Sequence, residues 1–216
     1  MDKICNITSK TLSLFPKIKK ILNSEKKYLE ISEKNGVANF VTSIDIKLNE
    51  FIKNSLLTLF PDSSIIAEES ENQLFPINNK LKFIVDPLDG TTNFTNNWPH
   101  TVSIGIIKDS KLASGIIGPI SLDILKTALG KENRPNDFNA ATWHTEVRAW
   151  DIAAATCILR ELGGEIVGKD GKPLNINTLS NPNASIAFIA SGSEKLIDEL
   201  YTIYKFSEKK FSYIQN

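Results

Sequence analysis

Two aspartates, Asp86 and Asp89, stand three residues apart in the segment Asp-Pro-Leu-Asp-Gly-Thr-Thr-Asn-Phe, which covers residues 86–94. The apolar run before them, residues 81–85, predicts a buried strand, and Pro87 should end it because proline cannot donate to a β-ladder. The acids would then emerge at the carboxyl end of a strand, where open α/β sheets build their sites. Aspartate is also common in turns, but a buried strand before the pair and threonines after it favour metal binding.

The residues after Asp89 predict an anion site beside the two acids. Gly90 lets the backbone approach a ligand closely. Thr91 and Thr92 offer hydroxyl and amide groups at the N-terminus of a predicted helix, which attracts anions. Thr91 is also explained as a simple helix cap. Hard carboxylate oxygens next to a phosphate-sized anion site indicate Mg²⁺ chemistry on a phosphate ester.

A second acidic pair, Glu68 and Glu69, follows a short predicted strand at residues 64–67. Adjacent glutamates are usually solvated. A carboxylate brought beside Asp86 would be repelled unless a cation lay between the two. A divalent ion turns that repulsion into coordination, so Glu68 is a candidate metal ligand, whereas Glu69 is interpreted as a solvated side chain.

Two further aspartates have a structural explanation in the sequence alone. Asp45 follows Thr42 by three residues, which is the spacing of a capping box at the start of a helix. Asp151 opens a predicted helix and complements its dipole. His144, the other polar residue of interest, is more often structural or exposed than catalytic.

Hydrophobic periodicity predicts a mixed α/β chain that divides near residue 130 into two lobes, 1–130 and 131–216. Residues 3–30 read as helical with an interruption or a new start at Pro16, and Lys34–Gly36 as a turn. The predicted helices and strands that follow are helix 42–60, strands 64–67, 81–85, 101–107 and 112–118, a weaker element at 123–129, helix 151–162, strands 165–167 and 186–190, and a last helix through residue 203.

Composition excludes several functional classes. The chain has 216 residues, 41% of them hydrophobic, which is enough to build a core. It has no net charge, so there is no excess of basic residues that would favour binding to nucleic acid. No apolar run approaches the roughly 20 residues of a membrane helix, and the N-terminus lacks a signal-peptide pattern, so we expect a cytoplasmic protein. Cys5 and Cys157 form no disulfide framework and should be at least partly buried.

Six segments together resemble the inositol monophosphatase family of Mg²⁺-dependent phosphatases. The order of these segments and their early spacings agree with the family. The resemblance implies a layered α/β fold, the αβαβα sandwich of the sugar phosphatases. The matching segments are Val41–Asp45, Phe60–Asp62, Ala67–Ser70, Asp86–Phe94, Trp150–Ala154 and Glu161–Gly164.

The resemblance also implies roles for individual residues. A first Mg²⁺ would be held by Glu68, Asp86 and the Leu88 carbonyl, and a second by Asp86, Asp89 and Asp151. Asp151 would also lie against the substrate. The catalytic set would be Thr91 and Glu68, which position the attacking water, with Asp45 supporting the metal site either from behind its ligands or by way of Thr91. The amides of Gly90, Thr91 and Thr92 would hold the phosphate.

The chain departs from the family pattern in its second half. Asp151 follows Asp89 by 62 positions, a shorter separation than in the family, and residues 130–141 look like a brief replacement for a missing part of the second lobe. His144 stands seven residues before Asp151, where the family often places a glutamate that holds a substrate hydroxyl. We therefore expect a reduced C-terminal lobe with an altered substrate wall.

The predicted function is Mg²⁺-dependent hydrolysis of a small polyol or sugar phosphate such as inositol monophosphate. The resemblance adds inhibition by Li⁺. Within the enzyme class the alternative is a 3′(2′),5′-bisphosphate nucleotidase, although that branch often has Lys-Glu where this chain has Thr92-Asn93. A different alternative is a catalytically weak metal-binding protein that acts through another protein. The expected partner is a small phosphorylated substrate, and a homodimer is the candidate assembly.

Overall fold

Helices and strands are mixed along the chain. The computed structural model describes residues 3–25, 31–33, 40–70, 80–96, 100–119, 141–192, 195, 197–203 and 205. Within these ranges the helices are α1 (Lys3–Leu12), α2 (Phe15–Glu25), α3 (Ser43–Leu59), α4 (Thr91–Thr95), α5 (Ala149–Glu161) and α6 (Ile176–Leu179), and the strands are β1 (Ile31–Glu33), β2 (Phe40–Thr42), β3 (Ser63–Ala67), β4 (Leu81–Asp89), β5 (Thr101–Lys108), β6 (Lys111–Pro119), β7 (Ala141–Val147), β8 (Glu165–Gly168) and β9 (Ile186–Ser191).

The first large sheet has the strand order β3-β4-β5-β6. Strands β3 and β4 are parallel, with Ala67 opposite Val85, and the remaining neighbours are antiparallel. Glu68 and Asp86, which follow Ala67 and Val85, therefore lie next to each other at the same end of the sheet. The backbone N–H of Glu68 donates to the Val85 carbonyl at 3.2 Å, which places Glu68 beside Asp86.

Strand β4 does not stop at Pro87, contrary to the sequence prediction. It continues to Asp89, and its pairing with β5 shifts between Asp86, opposite Ser103, and Asp89, opposite Thr101. Three steps along β4 correspond to two along β5, which is a β-bulge. A bulge can accommodate a proline because the extra residue makes no ladder hydrogen bond, so Pro87 bends the strand instead of ending it.

One face of this sheet is covered by α1, α2 and α3. Helix α3 buries Ile44, Leu48, Ile52 and Leu56 at helical spacing against the sheet. The predicted interruption at Pro16 is confirmed, because α1 ends at Leu12 and Pro16 is the second residue of α2. Proline is favoured in a first helical turn because its missing donor would have no intrahelical acceptor there.

The opposite face of the first sheet packs against α5, at a close approach that two glycines permit. Gly105 on β5 pairs with Gly115 on β6. A Cβ at Gly105 would lie 2.7 Å from the Cβ of Ala153, and one at Gly115 would overlap the Ala154 carbonyl oxygen. Side chains at these two positions would therefore push α5, and Asp151 with it, away from the sheet.

A second sheet, with the order β7-β9-β8, lies on the other side of α5. Its outer face buries Val167 and Ile189 against Ile197, which lies in a helical segment at residues 197–203. The layers are helices α1–α3, sheet, α5, sheet and this last helix. The predicted αβαβα sandwich is thus the observed fold.

Some predictions concern single residues or lie outside the described residues. Cys157 is buried as expected, but Cys5 is exposed, so the prediction for Cys5 was wrong. The predicted turn at 34–36, the element at 123–129 and the lobe division near 130 fall where the structure is not described. In the described part of the chain, no helix has the length and apolar character that a membrane span requires.

Candidate active site and metal centre

Three carboxylates from three different elements converge at one edge of the first sheet. Glu68 follows β3, Asp86 lies on β4 and Asp151 lies in the first turn of α5. One oxygen of each carboxylate lies within 4.8 Å of the other two. This acid cluster is therefore a candidate site for a metal ion.

Asp86 is a strongly perturbed carboxyl group of the acid cluster. Burial raises its pKa to about 9, and the negative charges of Glu68, Asp89 and Asp151 add to the shift. The backbone N–H of Leu88, which donates to Asp86 Oδ1 at 3.0 Å, works in the opposite direction. Buried like charges at this separation disfavour ionisation unless a cation compensates them, so the environment of Asp86 fits a divalent metal ion.

Asp89 lies at the end of β4, beside the acid cluster. Burial raises the pKa of its carboxyl group, and the Thr101 hydroxyl, which donates to Asp89 Oδ2 at 3.3 Å, lowers it. The bulge at Pro87 sets this pairing, because it brings Thr101 opposite Asp89. The sequence analysis did not select Thr101. Its place as the first residue of the strand after the motif is the signal that could have identified it.

The Asp151 carboxylate lies at the start of α5 and also within the acid cluster. Its Oδ2 accepts a hydrogen bond from the backbone N–H of Arg148 at 2.7 Å, which satisfies a donor at the start of α5. Its carboxylate also belongs to the acid cluster. Burial raises its pKa, the Arg148 N–H lowers it, and the charge of Asp89 raises it further.

Thr91 and Asp45 are joined by a hydrogen bond at the border of the site. The Thr91 hydroxyl donates to Asp45 Oδ1 at 2.8 Å and lies 3.3 Å from the Leu88 carbonyl oxygen. Asp45 is 3% exposed on α3. Asp45 therefore does more than open α3, since its carboxylate fixes the orientation of the Thr91 side chain.

The turn into α4 places Gly90, Thr91 and Thr92 in sequence. Gly90 has φ 87°, a left-handed conformation that a side chain would strain, and α4 begins at Thr91 as predicted. The buried ring of Phe94 anchors this short helix, packing edge-on against His100 with ring centroids 4.8 Å apart. The anion site predicted from these amides stays a prediction.

Two contacts that the sequence analysis missed hold the acid-bearing segments in place. The Asn49 side chain donates to the Glu69 carbonyl oxygen at 2.9 Å. The buried Ser103 hydroxyl donates to the Trp150 carbonyl oxygen at 3.4 Å. Each contact is made one residue from a member of the acid cluster. Asn49 lies one helical turn after Asp45, and this spacing is the signal in the sequence that could have identified it.

His144 lies on β7, opposite Phe188 on β9, before a shift in the register of that pairing. Its side chain is outside the described part of the structure. Its correspondence to a substrate-binding glutamate therefore stays a prediction.

Comparison with known proteins identifies the class of this layered α/β protein. The family model for the inositol monophosphatase family matches residues 6–140, which is more than half of the chain. The chain therefore belongs to the inositol monophosphatase family, and it is a phosphatase.

Individual relatives agree with this assignment. An inositol-1-monophosphatase from Synechocystis sp. (strain PCC 6803) is 26% identical over 215 residues, which span 70% of this chain and 75% of the relative.

Solved structures confirm the fold. The extragenic suppressor protein suhB from Bartonella henselae superposes with a TM-score of 0.71 at 21% identity, covering 91% of this chain and 97% of that one. An IMPase/NADP phosphatase complexed with Mg²⁺ and phosphate gives a TM-score of 0.69 at 17% identity, covering 91% of this chain and 95% of that one.

Proposed function

We propose that this phosphatase hydrolyses a small polyol or sugar phosphate, such as inositol monophosphate, and requires Mg²⁺. The observation that carries the proposal is the acid cluster, in which oxygens of Glu68, Asp86 and Asp151 lie within 4.8 Å of one another. A set of oxygen donors with no nitrogen or sulfur is the set that Mg²⁺ prefers. The related structure that contains Mg²⁺ and phosphate supports the choice of metal.

The residues of this chain fit the metal on electrostatic grounds. The raised pKa of Asp86 reports burial and three neighbouring negative charges, which a divalent cation would offset. We assign the ligands as Glu68, Asp86, Asp89, Asp151 and the Leu88 carbonyl. When bound, the metal would lower the pKa of a ligated water and offset charge on the phosphoryl oxygens.

Thr91 is the residue that we assign to the attacking water. Its single hydroxyl proton is directed to Asp45 Oδ1 at 2.8 Å, so the Thr91 oxygen keeps its lone pairs for a donor on the substrate side. A water that donates to Thr91 Oγ1 would be oriented for attack. Asp45 can accept the threonine proton as Thr91 takes one from the water, with Glu68 as the second carboxylate that orients the same molecule.

The phosphate would be held by the backbone amides of Gly90, Thr91 and Thr92. Support comes from the positive φ of Gly90, which turns the chain directly into α4. We extend two further family properties to this chain as proposals, inhibition by Li⁺ and assembly as a homodimer. The shorter second half points to a substrate held mainly through its phosphate.

The test is release of inorganic phosphate from inositol monophosphate by the purified protein, with Mg²⁺ and with a chelator. We expect turnover with Mg²⁺ only, and loss of turnover in Asp89→Asn at limiting Mg²⁺, because the variant keeps the shape and removes one charge. Asp62→Asn, the same change at an exposed position, is the control. Turnover by Asp89→Asn equal to the parent would show that the metal assignment is wrong, and no turnover by the parent would favour the catalytically weak alternative.

A further inference from the structure

Asn49 is a buried amide that contacts the segment after Glu68. It is 6% exposed and lies on α3. Its Nδ2 donates to the Glu69 carbonyl oxygen at 2.9 Å and lies 3.4 Å from the Ser70 hydroxyl oxygen. Asn49 follows Asp45 by one helical turn, so the two side chains project from the same face of α3.

Glu68 lies just beyond the end of a strand. Strand β3 ends at Ala67, and residues 68 and 69 form a turn. The pairing of the Glu68 N–H with the Val85 carbonyl is the last one of the parallel ladder. Its carboxylate must nevertheless stay close to those of Asp86 and Asp151, which repel it when no cation is bound.

Of the two polar groups in the Asn49 amide, only the Nδ2 donor makes a hydrogen bond to the described residues. Its Oδ1 is buried and has no hydrogen-bond partner among the described residues. An unsatisfied buried acceptor is destabilising, so the favourable contribution of the amide comes from its donor side. An apolar side chain of similar shape would relieve the cost at Oδ1 but would leave the Glu69 carbonyl oxygen without this donor, so what the amide adds is a bond to the turn that carries Glu68.

We infer that Asn49 is a positioning residue that holds Glu68 in the geometry needed for metal binding. The inference rests on the proposed function only in taking the acid cluster as the metal site. One turn of α3 then positions two parts of the site, Thr91 through Asp45 and Glu68 through Asn49.

The experiment is an Mg²⁺ titration of the Asn49→Leu variant. Thermal melting without substrate measures Mg²⁺ binding, and phosphate release measures kcat and KM. Leucine keeps the volume, adds no charge and removes both donors. We expect the Mg²⁺ concentration for half-maximal stabilisation to rise by roughly 10- to 100-fold, as for other residues that orient metal ligands. At saturating Mg²⁺ the kcat should return near that of the parent with KM unchanged, because the metal itself then restores the position of Glu68.

Asn54→Leu is the matched control, since Asn54 lies on the same helix and is exposed. Its Mg²⁺ midpoint should equal that of the parent. If Asn49→Leu does not fold, Asn49→Ala removes both donors in a smaller side chain and should raise the midpoint in the same way. A folded Asn49 variant that binds Mg²⁺ like the parent overturns the inference.

A double variant tests whether Asn49 acts through Glu68. In a Glu68→Gln background, Asn49→Leu should raise the Mg²⁺ midpoint no further, because the group it positions no longer carries charge. Independent, additive effects would show that Asn49 acts elsewhere. Melting reports on metal binding even if the parent releases no phosphate, so failure of the proposed reaction and failure of this inference give different results.

Discussion

The hydroxyl of Thr91 donates to Asp45 Oδ1 at 2.8 Å, which joins two residues that are 46 positions apart in the sequence. Asp45 is buried on α3, and Thr91 is the first residue of α4. Because a threonine hydroxyl carries one proton, this bond decides which side of the oxygen can accept from a water. The pair therefore connects the helical layer of the fold to the proposed reaction.

Thr91→Ala should lower kcat by roughly 10²- to 10⁴-fold, the range for loss of a proton-transfer group, with little change in KM. The hydroxyl contributes more in the transition state than in substrate binding. Steady-state phosphate release at saturating Mg²⁺ measures both constants. Thr91→Ser, which keeps the hydroxyl, should retain most of the activity.

Thr95→Ala is the control for this prediction. Thr95 is the last residue of the same short helix, and its hydroxyl donates to the Thr92 carbonyl at 2.9 Å, within α4. It should turn over like the parent. If Thr91→Ala keeps the parental kcat, Thr91 is a structural residue at the start of α4 and not a catalytic one.

Asp86→Asn should stabilise the metal-free protein at neutral pH and abolish its stabilisation by Mg²⁺. Burial and three negative neighbours raise the pKa of Asp86 from 3.8 to about 9. At a pH between these two pKa values, Asp86 holds a proton in the folded protein that it has lost in the unfolded chain. The free energy of unfolding therefore falls as the pH rises. The slope is at most roughly 1.4 kcal/mol per pH unit.

Chemical denaturation in a chelator, repeated from about pH 4 to 9, measures this slope. The parent should lose stability over the interval, Asp86→Asn should show a smaller slope, and Asp62→Asn should follow the parent. Addition of Mg²⁺ near neutral pH should stabilise the parent and the control but leave Asp86→Asn unchanged. Equal slopes in all three proteins would contradict the assigned environment of Asp86.

Gly115→Ala should destabilise the protein and weaken Mg²⁺ binding together. An added Cβ would overlap the backbone of Ala154 on α5, and forcing a methyl group into such a contact costs about 1–3 kcal/mol. Because Asp151 lies in the first turn of the same helix, its displacement should also raise the Mg²⁺ midpoint in thermal melting.

Gly168→Ala is the comparison variant for Gly115. Its added Cβ would lie 3.3 Å from atoms of Asp170 and Leu174 in the second sheet region, with no backbone overlap. It should lose less stability and bind Mg²⁺ like the parent. A Gly115→Ala protein with the parental Mg²⁺ midpoint would show that the position of α5 does not control the acid cluster.

The sequence predicted the parts of the fold that follow from local patterns. Apolar periodicity and the proline and glycine positions located most of the described elements, and the strand before Asp86 placed the acids at a sheet edge. The continuation of β4 through Pro87 was not predictable from these patterns. A bulge depends on the neighbouring strand, and the sequence does not show that Thr101 lies opposite Asp89.

The candidate site shows the same division between local and tertiary information. Glu68 and Asp86 were selected from their positions after predicted strands, and Asp151 was selected from the family resemblance. The structure brings the three together. Asn49 and Ser103 were missed because their hydrogen bonds join residues that are 20 and 47 positions apart. A polar residue on a buried face is visible in a sequence, but its partner is set by packing.

The last prediction concerns substrate choice. If the shorter second half leaves few contacts with the alcohol portion of the substrate, recognition should rest on the phosphate and the metal. The protein should then turn over several phosphate esters with similar kcat/KM and high KM, because few remote contacts remain to discriminate among them. A panel of inositol monophosphate, a sugar phosphate, glycerol phosphate and a nucleoside 3′,5′-bisphosphate measures these constants.

His144→Ala should change none of the four kcat/KM values. A preference above about 100-fold for one ester, equal to roughly 2.7 kcal/mol, would instead show a specific pocket, and its loss in His144→Ala would assign His144 to that pocket.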